Sequence, residues 1–259
     1  MSAALPSCLR AALYDWECER VAGRRDQDVG IYSALARGLG GRVLELACGT
    51  GRVSVPVADR VPGAWVVGLD SDPVMLAGAA SRAAGSPARG RVALVRADMR
   101  RFALARPFDL VAIPYNSLQL LTDDSAAADC MAAAAAHLRP GGMLALEVTD
   151  YTDYTDCTEC GVGPGPLPVT GEPLGEGSVA GMSVELDGGL DHDPSTGLTR
   201  YHRRWTLRRP GCQAMVSEDT VVLRAFDEPT LDAFALAAGL EPGERRRHGR
   251  SLRYSARRP

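Results

Sequence analysis

Between residues 42 and 148, short apolar runs alternate with longer segments of mixed polarity, a pattern that predicts strand and helix in turn. Strands are expected over 42–47, 64–69, 92–96, 110–113 and 143–148. Helices are expected over about 52–60, over 72–84, and over 125–138, where Asp123 or Asp124 caps an alanine-rich run that stops at Pro140-Gly141-Gly142. Asp72 followed by Pro73 forms a helix start, because proline's fixed φ suits the first helical position. Two short helices, 11–22 and 28–38, precede the first strand. Strand and helix alternating at this pitch imply a parallel sheet covered on both faces.

The pattern changes after Asp150. Residues 161–177 are rich in glycine and proline and read as loop. Strand-like alternation then returns over 180–187, 198–208 and 214–225, broken by turn signals at Asp187-Gly188-Gly189 and Arg209-Pro210-Gly211. An antiparallel flap inserted into the main fold is expected. Asp227-Glu228-Pro229 opens a last helix through Ala238, closed by Gly239, and 244–257 form a terminal hairpin. The expected organisation is residues 1–150 as lid helices and core, 151–225 as loop and substrate-capping flap, and 226–259 as the completion of the core.

With 259 residues, 46% hydrophobic and 24% charged, the chain is sized for one large α/β domain with an insertion. A net charge of −3 excludes a general polyanion binder. All the basic residues are arginine, which with the heavy Ala and Gly usage reads as a GC-rich genome. The N-terminus lacks a secretory pattern, and no apolar run reaches the ~18 residues that span a bilayer. Seven cysteines at irregular spacings fit reduced thiols, so a cytoplasmic location without membrane association is expected. Cys157 and Cys160 form a single C-x-x-C with no second pair or paired histidines, so a plain loop is favoured and no metal is expected.

The chemistry concentrates at Val43-Leu44-Glu45-Leu46-Ala47-Cys48-Gly49-Thr50-Gly51. An apolar strand breaks into small residues, and Gly49 and Gly51 leave room for a ligand against the main chain before a helix start. This is not the G-x-G-x-x-G of dinucleotide folds. Glu45 would repel a pyrophosphate but suits the ammonium of a methionine moiety. Asp70, 19 residues beyond Gly51, can take both hydroxyls of a ribose, a use shared with NAD sites. Asp98 can accept an adenine amine while Met99 lies against the ring.

With these motifs the chain resembles the class I S-adenosylmethionine-dependent methyltransferases. The likeness rests on Glu45–Gly51, on 68–76 with Asp70, Ser71 and Met75, on Ala97-Asp98-Met99, on Phe108-Asp109-Leu110-Val111 and on 138–142. It implies an α/β, Rossmann-like, seven-stranded, mostly parallel sheet with an antiparallel last strand, and S-adenosylmethionine as cofactor. One departure is Ala47, where the family usually has glycine; a single extra methyl is expected to cost little. The chain looks most like small-molecule enzymes of the glycine- and aminosugar-methylating type. In these the N-terminal segment lids the site, so Tyr14 and Tyr32 are candidates for the methionine end or the substrate, with helix-to-sheet packing as the alternative. Arg24 and Arg25 are candidates for the methionine carboxylate.

Methyl transfer is an in-line displacement, and a hydroxyl acceptor gains from a general base where an unprotonated amine needs none. Pro114, Tyr115 and Asn116 follow the fourth strand, where ligands of open α/β sheets sit, and Gln119 shares that stretch. Asp150 and Tyr151 end the fifth strand. Pro114 is a cofactor candidate; Tyr115, Gln119, Asp150 and Tyr151, with Trp205 of the flap, are substrate candidates. Tyr115 and Asn116 are catalytic candidates, as are His192 and His202, either of which could act as a base. A small-molecule acceptor for a monomer or homodimer is expected. Two alternatives remain: an RNA or protein methyltransferase using the arginine-rich 245–258 segment, and a non-catalytic nucleotide-cofactor binder.

Overall fold

The computed structural model describes residues 5–20, 27–151 and 174–259. Its elements, in chain order, are α1 (Ser7–Arg20), α2 (Gln27–Leu39), β1 (Arg42–Leu46), α3 (Ser54–Arg60), β2 (Trp65–Asp70), α4 (Pro73–Ala84), β3 (Val92–Arg96), β4 (Phe108–Ile113), α5 (Asp124–Ala136) and β5 (Leu138–Thr149). There follow β6 (Gly175–Val179), β7 (Met182–Asp193), β8 (Leu198–Arg208), β9 (Met215–Arg224), α6 (Glu228–Ala237), β10 (Glu241–His248) and β11 (Ser251–Arg257). They group into two units. One comprises Arg25–Asp150 with Phe226–Pro259, the other Met1–Arg24 with Tyr151–Ala225.

The first of these units is a seven-stranded sheet in the order β10-β11-β5-β4-β1-β2-β3. Its five central and edge strands β1–β5 run parallel, and β11 lies antiparallel between β5 and β10, as the resemblance implied. Alternation along β1 decides which residues face which layer. Leu44 and Leu46 join the layer holding Met131 of α5 and Leu231 of α6. Val43 faces Tyr32 and Ala36 of α2 and Val57 of α3. Strand order reverses between β1 and β4, which opens a crevice at the carboxyl ends of the strands.

Helix starts follow the sequence signals. Asp72 accepts from Val74 N–H at 2.8 Å, Asp123 from Ser125 N–H at 2.8 Å and Asp227 from Thr230 N–H at 2.9 Å. β5 differs from expectation: it begins at Leu138 and runs through Pro140-Gly141-Gly142, because Leu138 already pairs with Phe108.

The second unit holds the antiparallel sheet β6-β7-β8-β9. Strands form in the three expected flap segments, with a fourth, β6, reaching into the stretch read as loop. β7 runs on through Asp187-Gly188-Gly189, where a turn is expected, because these residues pair with Arg204, Arg203 and His202 of β8, and the turn falls at 194–197. α1, expected as a lid helix within the 1–150 segment, groups with this sheet. Its Leu13 and Trp16 pack against Val184, Leu186, Trp205 and Leu207. No helix among the described residues is long and apolar enough to cross a membrane.

Candidate functional site

Beyond β1 the chain turns through Ala47, Gly49 and Gly51, with φ of +53°, +54° and +71°. Cys48 N–H donates to Leu69 O at 2.9 Å and Arg82 Nε to Thr50 O at 2.9 Å, which stitch this loop to β2 and α4. Gly49 N–H donates to Asp70 Oδ2 at 2.8 Å and Asp72 N–H to Asp70 Oδ1 at 2.9 Å. Each carboxylate oxygen offers two lone-pair directions, so half-buried Asp70 retains acceptor capacity for the two hydroxyls of a ribose. The residues present therefore fit a nucleoside.

Three details of this loop differ from the sequence reading. Ala47 costs more than a methyl: its left-handed backbone is a conformation that an L side chain disfavours by about 1–2 kcal/mol. Gly51 is bare for packing rather than for a ligand, since a Cβ there would meet Ala79 Cβ and Val55 Cγ2, both at 3.2 Å. The buried Cys48 thiol lies against Gly68, so only the main chain of Cys48 is offered to a ligand, and burial pushes the thiol far above its ordinary pKa.

Glu45 of β1, 4% exposed, accepts a short hydrogen bond from Ser54 Oγ at the start of α3. Burial pushes its carboxyl up from 4.5 to about 7, against the opposing Ser54 hydrogen bond and Arg52 charge. Arg52 in turn forms a buried 2.7 Å ion pair with Asp28 of α2. Tyr32, 3% exposed, packs in the core with Ala36, Val43 and Ala58, in keeping with the helix-to-sheet alternative. Desolvation, with Glu147, Asp28 and Glu45 nearby, drives its hydroxyl well above the usual tyrosine value and keeps it neutral.

At the end of β3, Arg100 clasps Asp98 through Nε at 3.0 and 3.1 Å and Nη2 at 2.6 Å. These hydrogen bonds hold the Asp98 carboxyl down at about 2. A purine amine would share an acceptor already engaged. Arg100 was not singled out from sequence, although its place two residues after Asp98 is the signal that could have found it. Met75 and Met99 are half-buried, Pro114 is buried, and Ser71 is exposed with its carbonyl accepting from Arg96 Nε at 3.3 Å.

Past β4, Tyr115 has φ +56°, a strained conformation for a bulky residue. Asn116 and Gln119 turn inward. Thr149 Oγ1 donates to Asn116 Oδ1 at 2.7 Å, and the Gln119 carboxamide pairs with the main chain of Thr149. Gln119 is 0% exposed, so the direct substrate contact expected of it is replaced by a bond to β5. Thr149, unnoticed in the sequence, is the hub of this arrangement. Asp150 lies 3.7 Å from Arg247 as an ion pair.

The remaining candidates belong to the second unit. Trp205 is 2% exposed and packs edge-on against Trp16 at 6.0 Å; its surface is spent on that core rather than on an open aromatic wall. His192 Nδ1 lies 2.9 Å from Thr199 Oγ1, and His202 Nδ1 3.0 Å from Thr220 Oγ1. Tyr14 is half-buried on α1, and Tyr151 is 9% exposed. Arg24, Arg25, Cys157 and Cys160 lie outside the described residues. Among the described residues no His/Cys/Asp/Glu cluster could hold a metal.

Residues 43–142 match the family described as "Methyltransferase domain". A curated relative, trans-aconitate 2-methyltransferase of Streptomyces avermitilis, is 37% identical over 107 residues, covering 41% of this chain and 38% of that protein. The match thus spans well under half the length of that relative. Among solved structures, the amino pentose methyltransferase CalS10 from Micromonospora echinaspora, involved in calicheamicin biosynthesis, aligns at 25% identity. That alignment covers 99% of both chains, with a TM-score of 0.71. The sugar N-methyltransferase KedS8 from Streptoalloteichus sp. shares the fold at 20% identity, covering 100% of this chain and 96% of that one, with a TM-score of 0.75.

Proposed function

We propose that this chain, a class I S-adenosylmethionine-dependent methyltransferase by its matched domain and its fold, methylates nitrogen or oxygen of a small molecule in bacterial specialised metabolism. The observation that carries this reading is the loop with left-handed Ala47, Gly49 and Gly51 closed onto Asp70, which ends β2 and whose carboxylate is fixed by two main-chain N–H groups. The full-length likeness to an amino pentose methyltransferase and the partial likeness to trans-aconitate methyltransferases both support a small acceptor.

S-adenosylmethionine, when bound, supplies a methyl group activated by a sulfonium. The protein's own task is alignment and exclusion of water. Asp70 holds the ribose hydroxyls. Met75, Met99 and the Asp98–Arg100 pair bound the purine. Glu45, in β1 just before the loop, adds negative charge toward the ammonium of the amino acid end as it ionises around pH 7. Tyr115, with Asp150 just past β5, addresses the acceptor, while Asn116, bonded inward to Thr149, holds the segment. An amine arriving unprotonated needs no base from this set, and neither does a carboxylate.

Calorimetry with S-adenosylhomocysteine and with NAD, run in parallel, tests the cofactor. We expect binding of the former alone, weakened at least tenfold in Asp70→Ala, about 1.4 kcal/mol. Unchanged affinity in that variant overturns the ribose assignment. Donor-label transfer to an amino sugar nucleotide and to trans-aconitate then separates nitrogen from carboxylate acceptors. Transfer to neither overturns this pair of acceptor classes.

A further inference from the structure

The β4–β5 ladder ends at the pair Ile113–Leu146, yet β5 continues to Thr149. Beyond that last pair, the Gln119 side chain takes the place of a strand. Thr149 N–H donates to Gln119 Oε1 at 2.7 Å and Gln119 Nε2 donates to Thr149 O at 2.9 Å. A carboxamide carries the same donor and acceptor as a peptide group, so it closes the ladder as main chain would. Thr149 Oγ1 adds a third bond, to Asn116 Oδ1 at 2.7 Å. Within the segment, Ser117 Oγ donates to Pro114 O at 2.9 Å and Gln119 N–H to Asn116 O at 3.0 Å. Tyr115, left-handed at φ +56°, therefore sits between two residues that are each fastened. On its other side, β5 pairs Thr149 with Ser251 of β11, so the anchor point is held by the sheet.

We propose that Gln119 is a positioning residue, whose buried carboxamide extends β5 in place of a strand and so holds Tyr115 in the left-handed conformation used to orient the methyl acceptor. The inference rests on the methyl-transfer reading for what Tyr115 does, and on hydrogen bonds alone for how Tyr115 is held. A residue at this position that merely filled space would be replaceable by an apolar side chain of equal length. A clamp would not.

The test compares Gln119→Met, which keeps length and removes both bonds, with Gln119→Glu, which keeps the acceptor and loses the donor. Hydrogen exchange of the peptide covering 114–121 is expected to quicken at least tenfold in Gln119→Met. S-adenosylhomocysteine affinity should stay within twofold of the wild type. Turnover of whichever probe the wild type methylates, an amino sugar nucleotide or trans-aconitate, should lose at least tenfold in kcat with KM changed less than threefold. Gln119→Glu should recover kcat, relative to wild type at the same pH, as acidification protonates the carboxyl and restores a donor to Thr149 O. Unaltered exchange in Gln119→Met sinks the clamp, whatever the protein's chemistry. Quickened exchange with full kcat sinks the link to Tyr115. Absence of S-adenosylhomocysteine binding by the wild type sinks the methyl-transfer reading instead, and leaves the exchange result to decide the clamp. If Gln119→Met does not fold, the exchange and pH profile of Gln119→Glu decide the same points.

Discussion

Single residues in this protein carry costs that their sequence neighbours do not announce. Ala47 looked like a one-methyl departure from a glycine motif, but φ decides its energy, and φ is visible only in the folded loop. Glu45 was legible as an acid near the cofactor turn; its burial was not. Because its folded pKa is raised from 4.5 to about 7, the folded protein binds a proton more tightly than the unfolded chain. Its unfavourable contribution is absent below the ordinary carboxylate pKa and grows as pH rises through that window, levelling above 7. At full ionisation the shift corresponds to about 3 kcal/mol. The groups acting on it are Arg52 and the Ser54 hydrogen bond, which lower the pKa, and Asp70, which raises it. Glu45→Gln is therefore expected to gain stability over wild type as pH is raised from 4.5 to 8, followed by urea unfolding. Parallel pH profiles for the two proteins would remove Glu45 from this role.

Secondary elements follow the sequence where local signals and packing agree. Three helices begin at the aspartates that cap them, and α4 carries proline at its first position, as the sequence indicated. β6 was hidden because Gly175-Glu176-Gly177-Ser178-Val179 has little strand propensity. It is a strand because Ala180 and Gly181 both adopt positive φ and fold it onto β7. Gly177 is needed there, since a Cβ would lie 2.5 Å from Trp16 Nε1. A comparable constraint ties β2 to the cofactor loop: a Cβ on Gly68 would lie 2.9 Å from Cys48 Sγ and 3.1 Å from Leu94 Cδ2. Gly68→Ala is expected to destabilise by about 1–3 kcal/mol, the usual cost of overpacking. Cys48→Ala should recover part of that loss in thermal unfolding of the double variant, and strict additivity would show that the two side chains do not meet.

Across the whole molecule, charge placement bears on the alternative of a nucleic-acid substrate. The arginines of the terminal hairpin are largely engaged within the protein. Arg245 meets Asp232, Arg246 meets Glu244, and Arg247 meets Glu228 at 2.9 Å. Arg257 donates to Gly141 O, and Arg258 to the carbonyls that end α5. A phosphate backbone would have to displace carboxylates from this face, on a chain of net charge −3. Filter binding with a structured RNA is expected to show no retention at 150 mM salt. Micromolar retention with a steep salt slope would restore the RNA reading.

By itself the sequence determined the alternation of strand and helix, the glycine loop and the strand-end acids. These are local patterns: period, small residues and capping groups act over a few positions, and the same signals specify the fold of the core. Tertiary structure alone decided which of those residues are offered to a ligand and which are consumed. Gln119, Tyr32 and Trp205 have the chemistry of contact residues, yet their partners lie 30 or more positions away or in another element's core. Burial and hydrogen-bond pairing are set by chain segments distant in sequence, and no local pattern records them.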